Sequence, residues 1–369
     1  MKLKVDFTPQ NVELIKRMAS DDKAEAYKAQ AAVATFVMPV IESMLLQAKI
    51  LSALYEDFRF TEDDNPSIPL DLYADSTAEG TLQVWSQNAA GGLGTNFAMP
   101  YSEELKFQTY SIDTAISFDA KHARKARLPV ISKSLTKLAQ EVLVKMERTA
   151  ANQIFNVLAQ NATNALAIST ATTGRVGPED FNALLLKMAR LNKSWVGGTP
   201  VGGGAGKVTD VFMSPERMFD MRAMAYNPIN AVAPNGITAT AASGAVAAPD
   251  TVRAGLFNGG GIGNFYGVTL HEIQELGPAQ KWTNVFRAFA TAESVTFGSG
   301  DDLMLAVNMG KTGLIRPVEV ASGTGTEMKL VPDDQFVSRQ QKIGFYGKIE
   351  EGRLCLDNRG LAGIRVKYA

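Results

Sequence analysis

Apolar residues recur at steps of three or four from Ile131 to Gln160. Leu135, Leu138, Val142, Met146, Ala150, Ile154 and Val157 therefore share one face of a helix, with Lys133, Lys137, Glu141, Lys145 and Arg148 mostly off it. Some 27 residues make a rod of roughly 40 Å. Ser132 or Ser134 can cap its start, and Pro129 lies just upstream. This helix is long for a globular protein, and the rest of the chain is organised around it.

Before it, residues 9–22 predict a short amphipathic helix and 24–38 an alanine-rich one. Pro39 is expected to open a further helix to about Tyr55, with Val40, Met44, Leu45, Ala48 and Leu51 on one side. These helices are either a packed subdomain or an arm laid over a neighbouring subunit, and the lack of an obvious core of their own favours the arm. Phe58–Leu72 is irregular and acidic. Leu82 and Val84 then alternate with Trp85, a glycine-rich tip follows at Ala89–Gly94, and the chain returns through Phe97, Leu105 and Phe107. This predicts a long hairpin. An isolated hairpin is marginal in water, so Trp85, Phe97 and Tyr101 need a surface, either the chain's own core or the next subunit. Tyr110, Ile112, Thr114, Ile116 and Phe118 alternate as a strand, out of phase with Leu105 and Phe107, which places a bulge near Gln108. The basic run Lys121–Arg127 leads to Pro129.

After the long helix, Gly177–Asp180 starts another through Leu184, Leu185, Met188 and Leu191. Val208–Met213 is a short buried strand, and Ser214-Pro215-Glu216 opens a helix with a serine cap, a proline at its first position and an early acid. Met218, Met221 and Met224 follow at steps of three; core is the simplest role for them, and contact between subunits the alternative. Val196–Gly206, Asn227–Asp250 and Asn258–Asn264 are loops, with a short helix at 251–257. Strands are predicted at Tyr266–Ile273, Thr283–Ala290, Leu303–Val307 and Leu314–Val320, then a hairpin of Lys342–Ile349 with Arg353–Leu356, then a last strand carrying Ile364, Val366 and Tyr368.

Composition narrows the function classes. The 369 residues suffice for two or more domains, and a net charge of −1 with interspersed signs points to no dedicated nucleic-acid-binding domain. One cysteine, Cys355, excludes an intramolecular disulfide and fits a reducing compartment. The N-terminus has no signal-peptide core, and the apolar run Ala29–Ile41 is too short to span a bilayer, so a soluble protein made in a cytoplasm is expected. Gly310-Lys311-Thr312 lacks the earlier glycine of a phosphate loop, since Leu305 stands there, and Gly206-Lys207 and Gly259–Gly263 fail their motifs too. The only histidines are His122 and His271. The pairs Asp21-Asp22, Asp63-Asp64, Asp301-Asp302 and Asp333-Asp334 are adjacent, so their side chains diverge and they read as turn and cap residues. No catalytic, cofactor or metal site is expected.

The order of elements is distinctive, and two stretches carry a resemblance. TYSIDTAISFDAKHARKARLPVISKSLTKLAQEVLVKMERTAANQIF (109–155) resembles the strand and spine helix, and VTDVFMSPERMFDMRAM (208–224) the apical strand and helix, of the major capsid proteins of tailed bacteriophages. The resemblance implies an α+β protein of the Hong Kong 97-like capsid fold. Carried onto this chain, it gives an N-terminal arm at 1–60, an extended E-loop hairpin at 61–108, a peripheral domain with the spine helix at 109–175, an axial domain at 176–305 and peripheral return strands at 306–369. The glycine-rich loops would then adjust between five-fold and six-fold rings.

What the family implies for function is a structural protein, not an enzyme, that assembles with itself into hexamers and pentamers of an icosahedral virion shell around double-stranded DNA. A scaffolding protein, a portal and a cement or decoration protein are the implied partners, with no membrane. Assembly would take place in the host cytoplasm. Lys121, Arg124, Lys125 and Arg127 are candidates for diffuse DNA contact or for charge pairing between subunits. The founding member cross-links its subunits through a hairpin lysine; Leu72–Leu105 contains no lysine, so covalent chainmail by that route is not expected. Met1 shows no obvious scaffolding segment to be cleaved, which points to a separate scaffold. Within the same fold the alternative is an encapsulin nanocompartment. From another class, a soluble enzyme with an unrecognised site is opposed by the scarcity of His and Cys.

Overall fold

The computed structural model describes residues 8–64, 66–69, 104–169, 174–191, 207–226, 263–310, 313–321, 325–333 and 341–367. Trp85, Phe97 and Tyr101, the hairpin tip and the helix at 251–257 lie outside them. The chain divides into two units. The first is Met1–Leu72, Tyr101–Ala151 and Leu314–Leu354; the second is Tyr73–Pro100, Asn152–Gly313 and Cys355–Ala369. The stretch 109–175 thus divides at Ala151, and 306–369 contributes to both units.

In the first unit, α1 (Pro9–Arg17) is capped by Thr8, whose hydroxyl accepts from the Asn11 N–H at 3.3 Å. Asp22 caps α2 (Lys23–Gln47) through the Ala24 N–H at 3.0 Å. Pro39 opens no new helix; it lies inside α2. It is exposed, so water can serve the Thr35 carbonyl that loses its backbone donor. A short turn then leads to β1 (Glu56–Phe60), and β2 (Ser67–Pro69) pairs antiparallel with β3 (Glu104–Lys106), Ile68 opposite Leu105. No bulge forms at Gln108: residues 107–109 are not strand, and the following β4 (Tyr110–Asp119) belongs to a different sheet from β3, with Ile112 and Phe118 buried and Ser111, Asp113 and Ser117 exposed.

After the short α3 (Ala120–Arg124) comes α4 (Leu128–Gln160), whose 33 residues make about 50 Å. It starts earlier than the spacing predicts. Ser132 and Ser134 lie in its body rather than at its start, while Pro129 sits in the first turn, where a missing N–H costs little. All seven residues predicted for its inner face are buried. Through Ala151 this helix belongs to the first unit, and from Asn152 to the second. The core of the first unit joins Ile15, Val33 and Ile41 to Leu135 and Val142 of α4 and to distant strand residues such as Phe345. The N-terminal helices are therefore a packed subdomain on their inner face, rather than an arm without a core.

The second unit holds α5 (Ala162–Ala165), β5 (Leu166–Ile168), α6 (Pro178–Leu191), β6 (Asp210–Met213), α7 (Pro215–Tyr226), β7 (Asn264–Phe265), β8 (Val268–Glu272), α8 (Lys281–Ala292) and β9 (Asp302–Val307). The Ser214 hydroxyl accepts from the Arg217 N–H at 3.3 Å and so caps α7, as its Ser-Pro-Glu start predicts. Lys281–Ala292 corrects the sequence reading: the aromatic-rich run Thr283–Ala290 is helix, not strand. Trp282, Phe286 and Ala290 are spaced by four, and the first two pack edge-on against Phe155.

Of the remaining strands, β10 (Leu314–Glu319), β11 (Met328–Asp333) and β12 (Lys342–Glu351) complete the first unit's sheet, in the order β1-β10-β12-β11 with β4 on β12. β1 and β10 run parallel, and β4 pairs with β12 antiparallel along its whole length. β13 (Leu354–Cys355) pairs with β10, so β12 does not close the predicted hairpin. β14 (Leu361–Val366) joins the second sheet, ordered β5-β14-β9-β6-β8-β7, with β9 buried along its entire length.

Candidate functional site

Two buried arginines organise the polar chemistry, one in each unit. Arg316 sits on β10, whose six residues are all buried, so its charge must be paired. Its Nε donates to Glu351 at 2.6 Å, and its Nη1 donates to Glu327 at 2.9 Å and to Asp57 at 3.2 Å. Asp57 is also its register partner across the parallel pair of β1 and β10. Burial works against the Arg316 charge, yet Glu351, Glu327 and Asp57 outweigh it and hold its pKa above the ordinary value. Arg353 Nη2 donates to both oxygens of Glu351, to Oε2 at 3.1 Å beside Arg316 and to Oε1 at 3.2 Å, and the guanidinium lies 4.6 Å over the Tyr55 ring. The Tyr110 hydroxyl adds a bond to Glu351 at 3.1 Å. Lys49 completes the group, 4.0 Å from Asp57, its pKa lowered first by burial and then by Arg316.

Glu147 of α4 ties the turn after α2 into the same unit: its carboxylate accepts from the N–H groups of Ile50, Leu51 and Ser52 at 3.0, 2.9 and 3.3 Å. This resembles a helix cap supplied from a distant part of the chain.

In the second unit Arg217 is 1% exposed. Its Nε donates to Asp302 at 3.1 Å, and its Nη1 donates to Asp220 at 2.6 Å and to the Gly174 carbonyl at 2.9 Å. The Ser214 hydroxyl donates to Asp302 at 2.5 Å. Burial raises the pKa of Asp302 and of Asp220, against the pull of Arg217. The neighbouring Asp301 faces elsewhere, accepting from Arg365 Nε at 2.6 Å and from the Gly298 N–H at 2.5 Å. The adjacent acids do diverge, but Asp302 is a buried ion-pair partner rather than a turn residue. Asp22 and Asp64 do serve a cap and a turn.

Of the sequence candidates, Lys121, Arg124, Lys125 and Arg127 are all exposed. Lys121 lies 2.8 Å from Asp119, and Arg124 reaches Asp21 at 3.4 Å. Met218 and Met221 are 4% and 1% exposed within the second unit's own core, so they offer no surface to another subunit, and burial matches the core alternative given for them. Met224 lies on α7. His271 stacks on Phe212 and contacts Asp210 through Nε2 at 2.7 Å, a satisfied side chain rather than a ligand. The second unit also carries an open groove of about 1050 Å³ lined by Ile168, Leu186, Lys187 and Arg190 among others. Among the described residues no group of three or more His, Cys, Asp or Glu is placed to hold a metal. Sequence reasoning missed Arg316, Arg217, Glu147 and their partners; the one signal was a charge inside an apolar run, as at Leu314-Ile315-Arg316.

No family model and no curated protein matches this sequence. Solved structures do. The capsid of the cyanophage P-SCSP1u is similar at 12% identity and a TM-score of 0.49, over 87% of this chain and 88% of that one. The Microbacterium phage Oxtober96 structure is similar at 10% identity and a TM-score of 0.47, over 87% and 91%. The holo-SrpI encapsulin complex from Synechococcus elongatus is similar at 10% identity and a TM-score of 0.40, over 72% and 77%.

Proposed function

We propose that this chain is the structural subunit of a closed protein shell, the major capsid protein of a tailed phage, which assembles as hexamers and pentamers around double-stranded DNA. The observation that carries this reading is the run from β3 to α4. A hairpin base, a ten-residue strand, a short basic helix and a 33-residue helix follow one another in the order in which the sequence resembles that family. The arginine clusters support it. Their carboxylates are engaged by arginines, which favours a rigid building block over acid–base chemistry. DNA contact would be diffuse, through Lys121, Arg124, Lys125 and Arg127 on the inner face, and would fall steeply with salt. A scaffolding protein, a portal and a cement protein are the partners this role requires, and the virion is its location. With no lysine between Leu72 and Leu105, the shell would be held by non-covalent area.

An encapsulin nanocompartment shares the shell and differs in its contents. Particles purified from cells producing the chain with its neighbouring genes distinguish them: nuclease-protected DNA supports the capsid, whereas a protein cargo with no DNA supports the nanocompartment. Failure to form particles under every condition overturns both.

A further inference from the structure

The first unit carries two surfaces of different charge, with its core between them. On the side of the sheet away from that core, the lysines are neutralised by the chain's own carboxylates. Lys329 Nζ donates to Glu319 at 2.5 Å, and Lys348 Nζ to Glu350 at 3.1 Å. On the side of α4 away from the core the pattern is reversed. Lys133, Lys137, Lys145 and Arg148 are all exposed. They fall within about a third of the helix circumference, turned away from the buried Leu135, Val142 and Met146. Among the described residues none of the four has a carboxylate partner, whereas Lys121 and Arg124 do. From Ala120 to Ala151 the chain holds eight lysines and arginines against two acids, an excess of six positive charges in a protein whose total is −1. One of those acids, Glu147, is buried and serves the N–H groups of Ile50, Leu51 and Ser52.

We infer that the outward face of α4 is a phosphate track for duplex DNA, so that this side of the subunit faces the shell's interior and the outer face of the sheet looks away from it; the inference rests on the capsid reading above. A solvated helix face ordinarily mixes charges of both signs. Here Lys133 and Lys137 are four apart and Lys145 and Arg148 three apart, like-charge pairs that oppose the helix in water and that a polyanion relieves. The stretch from Lys133 to Arg148 covers about 22 Å, along which duplex DNA presents one charge about every 1.7 Å. One side of α4 is packed into the core, so the helix cannot sink into a groove. It lies along the backbone and meets phosphates rather than base edges, which gives affinity without sequence preference. An acidic protein segment fits less well. A specific protein contact is centred on desolvated apolar or aromatic anchors, and among the described residues Val144 is the one large apolar side chain exposed on α4.

The test measures binding of the full chain to a random-sequence duplex and to poly-L-glutamate as salt is raised. Three double variants remove equal charge: Lys133→Gln with Lys137→Gln, Lys145→Gln with Arg148→Gln, and, on the sheet's outer face, Lys329→Gln with Lys348→Gln. Each α4 pair should flatten the log–log salt slope for the duplex by about 1.8, with the wild-type circular dichroism and Tm, and the sheet pair should leave the slope unchanged. A second measurement is made in purified particles with Cys355→Ser as background. An aryl azide on Val144→Cys should cross-link to DNA, and the same label on Val331→Cys, exposed on the sheet's outer face, should not. If the wild type binds the duplex and the α4 pairs keep its slope, or all three pairs lose slope alike, the inference fails and the capsid reading stands. The same holds if Val331→Cys cross-links and Val144→Cys does not. If poly-L-glutamate binds in dependence on these residues and the duplex does not bind, an acidic protein is the occupant and the inference is overturned. If the wild type forms no particles, or particles without DNA, the capsid reading itself fails and the inference with it.

Discussion

Arg316 and Glu351 form an ion pair in which neither side chain has any exposed surface, with Nε 2.6 Å from the carboxylate. The pair links β10 to the end of β12, and Asp57 and Glu327 extend it to β1 and to the residue before β11. Taking both charges out of water is costly, so the pair's value lies in fixing which strands meet. Breaking it from one side is worse than never having built it.

Arg316→Met should therefore destabilise the protein by about 3–5 kcal/mol in urea unfolding, because three carboxylates lose their common partner. Arg316→Met combined with Glu351→Gln should cost less than the sum of the two single changes. Additive costs would mean that the two residues do not act as a unit.

Cys355 should be inert in the folded protein. Burial first, and Asp357 second, push its pKa up from the ordinary thiol value of 9.0 to about 12. At pH 8 only about one thiol in 10,000 would then be ionised. A disulfide reagent should react slowly with native protein and rapidly in denaturant. The sign for stability follows. Between the unfolded and folded values the unfolded chain binds fewer protons, so the contribution of this group is complete below pH 9 and declines as pH rises toward 12. Replacement by serine should flatten that decline.

Two glycines that a side chain would crowd should respond differently. Gly313 has φ +64°, and a Cβ there would meet the backbone carbonyl of Asp357, which cannot yield. A Cβ at Gly347 would meet the end of the Met328 side chain, which can move. Gly313→Ala should cost at least about 2 kcal/mol, and Gly347→Ala clearly less. The reverse order in thermal unfolding would contradict this placement.

Lys125 and Arg127 test the proposed DNA contact. Among the described residues neither has a carboxylate partner, whereas Lys121 and Arg124 do. Replacing both with glutamine should weaken binding to duplex DNA of any sequence and flatten the log–log salt dependence by about 2. An unchanged slope would assign the basic run to contacts between subunits.

The readable parts of this chain were those whose signal is local. The buried face of α4, the alternation along β4 and the Ser-Pro-Glu start of α7 are each set by residues within a few turns or pleats of one another. The arginine clusters were not readable, because Arg316 meets Glu351 across 35 positions and Arg217 meets Asp302 across 85. Lys281–Ala292 was misread because aromatic residues favour strands on average, while here their spacing by four decides. Pro39 misled for a related reason. A proline rule describes the backbone alone, and the solvent beside this residue relieves its cost. In α2 the pattern showed apolar residues but could not show which side its own unit would leave uncovered.

The central claim is assembly, and the most direct measurement is sedimentation of the purified full chain, alone and with a co-expressed scaffolding protein, followed by electron microscopy of the fast fraction. The account predicts closed particles or ring-shaped capsomers far heavier than the 39.7 kDa subunit. A single species of subunit mass in both preparations, at every concentration and salt tested, would contradict it.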